Sequence, residues 1–155
     1  TGLTNLKRLD LGDTEISDAG LKHLQTLTNM EHLNLRNTEL SDTGLKHLKQ
    51  MKKMRDLSIS GARITDAGLV HLSGLTELRD LSCLQGTITD AGLLHLKSLI
   101  NLEILQLHGN QITDAGLVHL KGMDKLHHIN LGANQITNAG VAELRKALPN
   151  CKISH

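Results

Sequence analysis

A histidine recurs at the same point of the sequence every 24 residues, and this column is the first candidate for chemistry. Its members are His23, His47, His71, His95 and His119, with Glu143 in a sixth copy. Zinc sites bring several ring nitrogens to about 2.0–2.1 Å from one ion. Residues one structural repeat apart would instead lie on neighbouring helices, about 8–10 Å from each other. The column therefore predicts half-buried histidines that hydrogen-bond to the next repeat, and no metal site.

A second column is acidic and precedes the histidines. Its members are Asp18, Asp42, Asp66, Asp90 and Asp114, with Asn138 in the sixth copy. Calcium requires six to eight oxygens that converge at about 2.3–2.6 Å, and carboxylates one repeat apart do not converge. Each aspartate follows a serine or threonine placed as a helix N-cap, so we expect the carboxylates to face the positive ends of helix dipoles. The sequence predicts neither a metal nor another cofactor.

Signatures of common enzyme classes do not occur in this sequence. It contains no CxxC, HExxH or GxSxG pattern, and its glycines form no phosphate-cradling loop. Lys and Arg number 17 against 16 Asp and Glu, and the net charge of +1 gives no general attraction for nucleic acid. No apolar run reaches the roughly 18 residues of a membrane span. We therefore expect a protein without catalytic residues, nucleic-acid binding or membrane insertion.

The elements that must position these columns repeat with the same period. The stretch ITDAGLVHL at residues 64–72 recurs, with small changes, in six copies. Before each copy, the pattern Leu-x-x-Leu-x-Leu predicts a short half-buried strand. Within it, leucines at i, i+3 and i+6 predict a helix of about ten residues. A glycine such as Gly68 falls within the buried stripe of that helix, which indicates close approach to the neighbouring backbone.

Between strand and helix lies a polar column in the turn. Thr14, Thr38, Asn110 and Asn134 can hydrogen-bond the neighbouring backbone there, whereas Ala62 and Gly86, their counterparts in repeats three and four, cannot. We therefore predict that repeats three and four are the softest part of the stack.

Together the strand and helix patterns resemble a leucine-rich repeat over essentially all 155 residues. The six repeats begin near residues 6, 30, 54, 78, 102 and 126. They are most similar to the ribonuclease-inhibitor-like class with helices on the convex side, and to the ITDAGL repeats common in bacterial proteins. The resemblance implies an α/β solenoid shaped as an open horseshoe, with a parallel β-sheet on its concave face and short α-helices on its convex face. Strands stack about 4.8 Å apart and helices about 8–10 Å apart, which also predicts an arc.

The two ends of the chain differ. Residues 138–155 contain a longer and more polar helix, Pro149 and a final apolar segment, which predicts a C-terminal cap of the kind that repeat stacks require. No cap pattern is visible near residue 1, so we expect a single domain over residues 1–155 that continued, with further repeats or domains, on its N-terminal side.

The two cysteines are not spaced to form a disulfide. Cys83 and Cys151 lie about three repeats apart, roughly 14 Å at the spacing of stacked strands. A disulfide requires Cα atoms within about 7 Å. We expect two free, buried thiols.

The positions of each strand that face solvent follow no consensus, unlike the core. Varied side chains on a constant frame are typical of a binding surface. The candidate concave patch comprises Arg36, Asp56, Ser58, Asp80, Leu84, Ile104 and His108. The alternative is solvated variation without function.

A second candidate lies on the convex side. By helical phase, Val70, Leu94 and Val118 point away from the core and would form an apolar strip beside Lys97 and Lys121. Such a strip can mark a contact with another chain or domain. In the alternative interpretation, short distorted helices half-bury these side chains.

Three functions remain open at this point. The first is a non-enzymatic module that binds another protein or peptide on its concave face. The second is a structural spacer or assembly domain that uses the convex strip. The third is a recognition domain attached to an enzyme whose catalytic part lies outside these residues.

Overall fold

The computed structural model describes residues 3–155, and within them seven three-residue strands form one open parallel sheet in chain order. The strands are β1 Arg8–Asp10, β2 His32–Asn34, β3 Asp56–Ser58, β4 Asp80–Ser82, β5 Ile104–Gln106, β6 His128–Asn130 and β7 Lys152–Ser154. Residues one repeat apart are direct partners, as in the pairing of Leu33 with Leu57 and of Leu57 with Leu81. The sequence period therefore sets the register of the sheet, and the open parallel architecture predicted for the concave face is confirmed.

The convex side carries helices that are mostly shorter than the ten residues predicted. They are α1 Asp18–Lys22, α2 Asp42–Leu45, α3 Asp66–Leu69, α4 Asp90–Leu96 and α5 Asn138–Ala147. Segments of 3-10 helix cover Lys46–Leu48, Val70–Leu72 and Gly116–Leu120. Leucines at i, i+3 and i+6 match the three residues per turn of a 3-10 helix. Leu69 at the end of α3, Leu72 at the end of the 3-10 segment and Leu75 after it are all fully buried.

Leu, Ile, Val, Met, Ala and Cys side chains fill the space between the two layers, because the sequence has no Phe, Tyr or Trp. Leu33 in β2 and the flanking Met30 and Leu35 are buried, as are their counterparts in the next four repeats. Cys83 and Cys151 belong to this core as free, buried thiols, which confirms that prediction. Burial raises the pKa of the Cys83 thiol to about 12.

The chain turns after each of the first six strands through a left-handed backbone conformation. The residues with φ between 51° and 73° are Asp13, Asn37, Gly61, Gln85, Gly109 and Ala133, one per repeat. Glycine adopts this conformation without a steric penalty, and Asn or Asp tolerate it. This conformation was not predictable from residue type, since only two of the six residues are glycine and the column has no common residue.

The polar turn column makes the predicted backbone bonds. Asn110, which is buried, donates to the carbonyls of Cys83 (2.8 Å) and Leu107 (2.9 Å) and accepts from the Ile88 N–H (3.1 Å). Asn134 repeats this arrangement one repeat later. The softness of repeats three and four stays a prediction.

At the C-terminal end, α5 is the one helix of the described residues that reaches the predicted length, and β7 follows it. Leu148, Cys151 and Ile153 are buried against the last repeat. Their burial is consistent with a cap over residues 138–155, and that assignment stays a prediction.

Candidate functional site

The concave face carries a groove of about 570 Å³ over the first four strands. Its lining residues are Arg8, Leu9, Asp10, His32, Leu33, Asn34, Asp56, Leu57, Ser58, Asp80 and Ser82. The outer residues of each three-residue strand face this groove, while the central leucine points into the core, as the alternation along β2 to β4 shows. The groove is thus lined by the outer, polar residues of β1 to β4 at adjacent register positions, with the central leucines Leu9, Leu33 and Leu57 at its base.

The floor of the groove contains two neighbouring carboxylates. Asp56 and Asp80 are register partners on β3 and β4. Burial raises the pKa of Asp80, the charge of Asp56 raises it further, and His128 opposes the shift. On the other side, the His32 Nδ1 atom contacts Asp56 Oδ2, and Arg8 is the register partner of His32. The row therefore runs from cationic through ionisable to anionic, and Asp80 is its least well compensated member.

Serine hydroxyls line the adjacent row. Ser58 and Ser82 are register partners and are half-buried. Ser60 lies two residues after Ser58 and would face solvent by strand alternation, but it is buried with 4% exposure. Its hydroxyl contacts that of Ser82 (2.8 Å) and accepts from the Leu84 N–H (3.0 Å), so it supports the turn and is not available to a ligand.

The predicted concave patch is divided by the structure. Asp56, Ser58 and Asp80 line the groove. The remaining four residues of the patch, Arg36, Leu84, Ile104 and His108, lie outside its lining. Arg36 donates to Asp13 Oδ2 at 2.8 Å and is thereby held at the rim of the sheet. The binding role of all seven stays a prediction.

Two residues of that patch are apolar and both are half-buried. Ile104 follows Asp80 in the same register row, on β5. Leu84 lies beyond the end of β4. Ile104 therefore borders the acidic end of the groove, whereas Leu84 contributes to the rim.

The histidine column is half-buried from the second repeat onward, as predicted for His47, His71, His95 and His119, whereas His23 is exposed. The hydrogen bonds predicted between repeats are wrong for His71, whose Nδ1 is buried without a partner. Burial lowers the pKa of His47 and of His71, and nearby lysines lower both further. These histidines pack between helices and do not converge on a ligand.

The aspartate column forms a ladder of hydrogen bonds between repeats that the sequence pattern did not indicate. Asp42 accepts from the Thr65 N–H (2.8 Å) and from the Thr65 hydroxyl (2.6 Å). The same two bonds join Asp66 to Thr89, Asp90 to Thr113 and Asp114 to Thr137. The aspartates were predicted to interact only with the dipoles of their own helices. The helix starts stack closely enough, however, for each carboxylate also to bond to the N-cap residue of the next repeat.

The glycine column makes room for this ladder. A Cβ atom on Gly68 would overlap Asp42 Oδ1, and the corresponding atom on Gly92 would overlap Asp66 Oδ1. From the second repeat to the sixth, the nearest neighbour of such a Cβ is thus a carboxylate oxygen of the preceding repeat, whereas the prediction named that repeat's backbone, which comes close only at Gly116.

The ladder carboxylates lie one repeat apart, and each accepts two hydrogen bonds from the next repeat. Among residues 3–155, no group of three or more His, Cys, Asp or Glu side chains is arranged to hold a metal ion. The two repeating columns that first suggested chemistry consequently have structural roles.

The convex strip is exposed. Val70, Leu94 and Val118 retain 42%, 52% and 57% of their accessible surface. The alternative interpretation, in which short helices half-bury them, is therefore wrong. The 3-10 and α-helical segments both keep this position directed away from the sheet, because Leu69, Leu93 and Leu117 take the buried position beside it.

Comparison with known proteins identifies the repeat. The model described as leucine rich repeats (2 copies) matches residues 4–50 and 100–146, and the model described as leucine rich repeat matches residues 50–73. A search of curated proteins found no match. Within residues 3–155, no helix is both long and apolar enough to cross a membrane.

Solved structures of similar fold include two internalins of Listeria monocytogenes. An internalin (InlF) shares 21% identity, with a TM-score of 0.77 over 98% of this chain and 48% of its own. Internalin C2 shares 23% identity, with a TM-score of 0.69 over 94% of this chain and 69% of its own. The present chain thus spans about half the length of the first of these. At these identities the likeness concerns the fold alone. Because the repeat models match more than half of its residues, the chain belongs to the leucine-rich repeat family.

Proposed function

We propose that this chain binds another protein or peptide on its concave face, within the groove over β1 to β4, and that it does so without catalysing a reaction. The groove itself carries the proposal, since it is a recess with side chains of both charges on a sheet whose core positions are strictly repetitive. The fold supports a protein-interaction module in general. The place and the chemistry of binding are inferred from the groove.

The charges of the groove favour a partner with a basic side chain. Asp80 carries a raised pKa, which means that its ionised form lacks compensation. A lysine or arginine brought beside Asp80 and Asp56 would relieve this repulsion. The nearly neutral net charge of +1 gives no comparable reason to propose nucleic acid.

Selection from a random peptide library tests the proposal. Peptides enriched on the wild-type protein are synthesised, and their affinities are measured by fluorescence anisotropy. Ser58→Arg places a bulky cation in the middle of the groove and should weaken binding at least tenfold. Ser98→Arg introduces the same side chain at an exposed position outside the groove and should leave binding unchanged.

Two further results complete the design. The double variant Leu84→Asp/Ile104→Asp tests whether the apolar part of the predicted patch extends the groove. If Ser58→Arg and Ser98→Arg retain the same affinity for every enriched peptide, concave binding at this groove is refuted.

A further inference from the structure

The convex side combines exposed apolar side chains with cations in an arrangement that the concave site does not use. Beside Val70, Leu94 and Val118, three alanines one helical turn earlier are also exposed. They are Ala67, Ala91 and Ala115. Residues three apart on a helix lie on the same face. The exposed apolar surface is therefore two residues wide and extends over three adjacent repeats; we name it the convex strip.

Lysines border the strip on one long side and at its N-terminal end. Lys97 and Lys121 lie one turn after Leu94 and Val118, and Lys46 holds the position of Val70 in the preceding repeat. All three are exposed, and none has an ion-pair partner within residues 3–155. At the other end, Glu143 is already paired with Lys146 at 2.5 Å. The strip therefore has unpaired cations along one edge.

The opposite long side of the strip carries aspartates that already accept hydrogen bonds from the protein. Asp66 and Asp90 begin α3 and α4, Asp114 lies just before the 3-10 segment of its repeat, and each carboxylate accepts two hydrogen bonds from the following repeat. A uniformly anionic membrane surface would meet these carboxylates as well as the lysines. A second copy of this chain would bring the same lysines against the strip's own. Neither arrangement is complementary in charge to the strip. A partner protein with acidic residues along one edge only would be complementary to the lysines.

We propose that the convex strip docks an amphipathic helix of a partner protein, whose apolar side chains cover Val70, Leu94 and Val118 and whose acidic residues face Lys97 and Lys121. Neighbouring helices lie about 8–10 Å apart, so three repeats span roughly 16–20 Å. Apolar residues at i, i+7 and i+14 of an α-helix span about 21 Å at 1.5 Å per residue. A partner helix of about 15 residues, lying across the repeats, thus matches the strip in length.

The test uses two designed helical peptides as probes. One carries leucines at seven-residue intervals with glutamates along one flank, and the other carries lysines in place of those glutamates. Fluorescence anisotropy should show that the glutamate peptide binds the wild-type protein at least tenfold more tightly than the lysine peptide. Leu94→Glu should weaken the glutamate peptide at least tenfold, while Ser58→Arg, in the concave groove, should not change its affinity.

Charge reversal provides the decisive comparison. In the Lys97→Glu/Lys121→Glu variant, the preference should invert in favour of the lysine peptide. All substituted side chains on the convex face are exposed, so circular dichroism should show an unchanged fold. Equal binding of both peptides, or an unchanged affinity in Leu94→Glu, overturns the proposal.

Other occupants are separated by two measurements on the same variants. Sedimentation that shows a wild-type dimer, converted to a monomer by Leu94→Glu, would assign the strip to a second copy and overturn the proposal. Binding to vesicles of phosphatidylcholine and phosphatidylserine, lost in Leu94→Glu without any peptide binding, would assign it to a membrane surface with the same consequence. Failure of the concave-groove test leaves these outcomes unaffected, because the two faces are probed by different variants.

Discussion

Replacing Gly68 by alanine tests whether the aspartate ladder holds successive repeats together. Helix propensity alone predicts a gain, because glycine in a helix is about 0.5–1 kcal/mol less favourable than alanine. In the structure, however, a Cβ atom at this position would overlap Asp42 Oδ1 and would lie 3.1 Å from Ile64 Cγ2. The carboxylate must move away, and it then loses its two bonds to Thr65.

The expected magnitude follows from those two bonds. Hydrogen bonds to a charged acceptor contribute about 1.5–3 kcal/mol each, and the lower figure suits these solvent-exposed bonds. Loss of both costs about 3 kcal/mol, and the propensity gain offsets about 1 kcal/mol. We therefore expect Gly68→Ala to lower the free energy of unfolding by about 2 kcal/mol. With an m-value near 2 kcal/mol per molar urea, the unfolding midpoint falls by about 1 M.

Urea denaturation monitored by circular dichroism measures this change. Gly122→Ala is the matched control, because a Cβ at Gly122 would meet nothing within 4 Å, and it should shift the midpoint little. A double-mutant cycle with Asp42→Ala identifies the cause, since the cost of Gly68→Ala should largely disappear once the carboxylate is absent. The reasoning is refuted if Gly68→Ala is neutral or stabilising, or if its cost is the same in both backgrounds.

Three further predictions concern the histidine column, the turn and the core. The pKa values of His47 and His71 are lowered in the folded protein. Below the unfolded-state histidine pKa of about 6.5, the unfolded chain therefore binds more protons than the folded protein. Stability should be constant above that pH and should fall as the pH decreases below it. Equal melting temperatures at pH 7.5 and pH 5 would contradict this account. So would a His47→Gln/His71→Gln variant whose melting temperature falls as much as that of the wild type between these pH values. Asn110→Ala removes three hydrogen bonds in a buried turn. Urea titration should show a free energy of unfolding lower by about 3 kcal/mol. A loss below about 1 kcal/mol would show that other groups satisfy the carbonyls of Cys83 and Leu107. The Cys83 thiol, 3% exposed and with its pKa raised to about 12, should react with a chromogenic disulfide reagent only as fast as the protein opens, so fast labelling of the native protein argues against its burial.

Much of the fold could be predicted because each repeat solves the same packing problem locally. The leucines of a strand such as β3 alternate with polar residues, and this alternation predicts both the strand and its buried side. A constant period then places partners such as Leu57 and Leu81 side by side without knowledge of any distant contact. The direction of Val70, Leu94 and Val118 was predictable for the same reason, since it depends on helical phase alone.

Features that depend on contact between repeats were predicted less well. The helices became short and partly 3-10 because packing, rather than propensity, sets the length of a segment such as Gly116–Leu120. Ser60 appeared solvent-facing by alternation, yet it is buried because its hydroxyl satisfies the turn of the following repeat. The concave groove likewise required the structure, which showed Arg36 withdrawn to Asp13 and Asp80 left beside Asp56.

The histidine, aspartate and glycine columns show which features follow from the sequence pattern and which depend on packing between repeats. The sequence alone shows that these residues recur every 24 positions and places them in a leucine-rich repeat solenoid, and it predicts that residues one repeat apart do not converge on a metal. The contacts between repeats were needed to show that Asp42 bonds to Thr65, that Gly68 leaves room for the Asp42 carboxylate, and that the buried His71 Nδ1 atom has no hydrogen-bond partner. The physical reason is that periodicity specifies which residues stack, whereas the separation between stacked helices, which sets what each side chain can reach, arises from the packing of whole repeats.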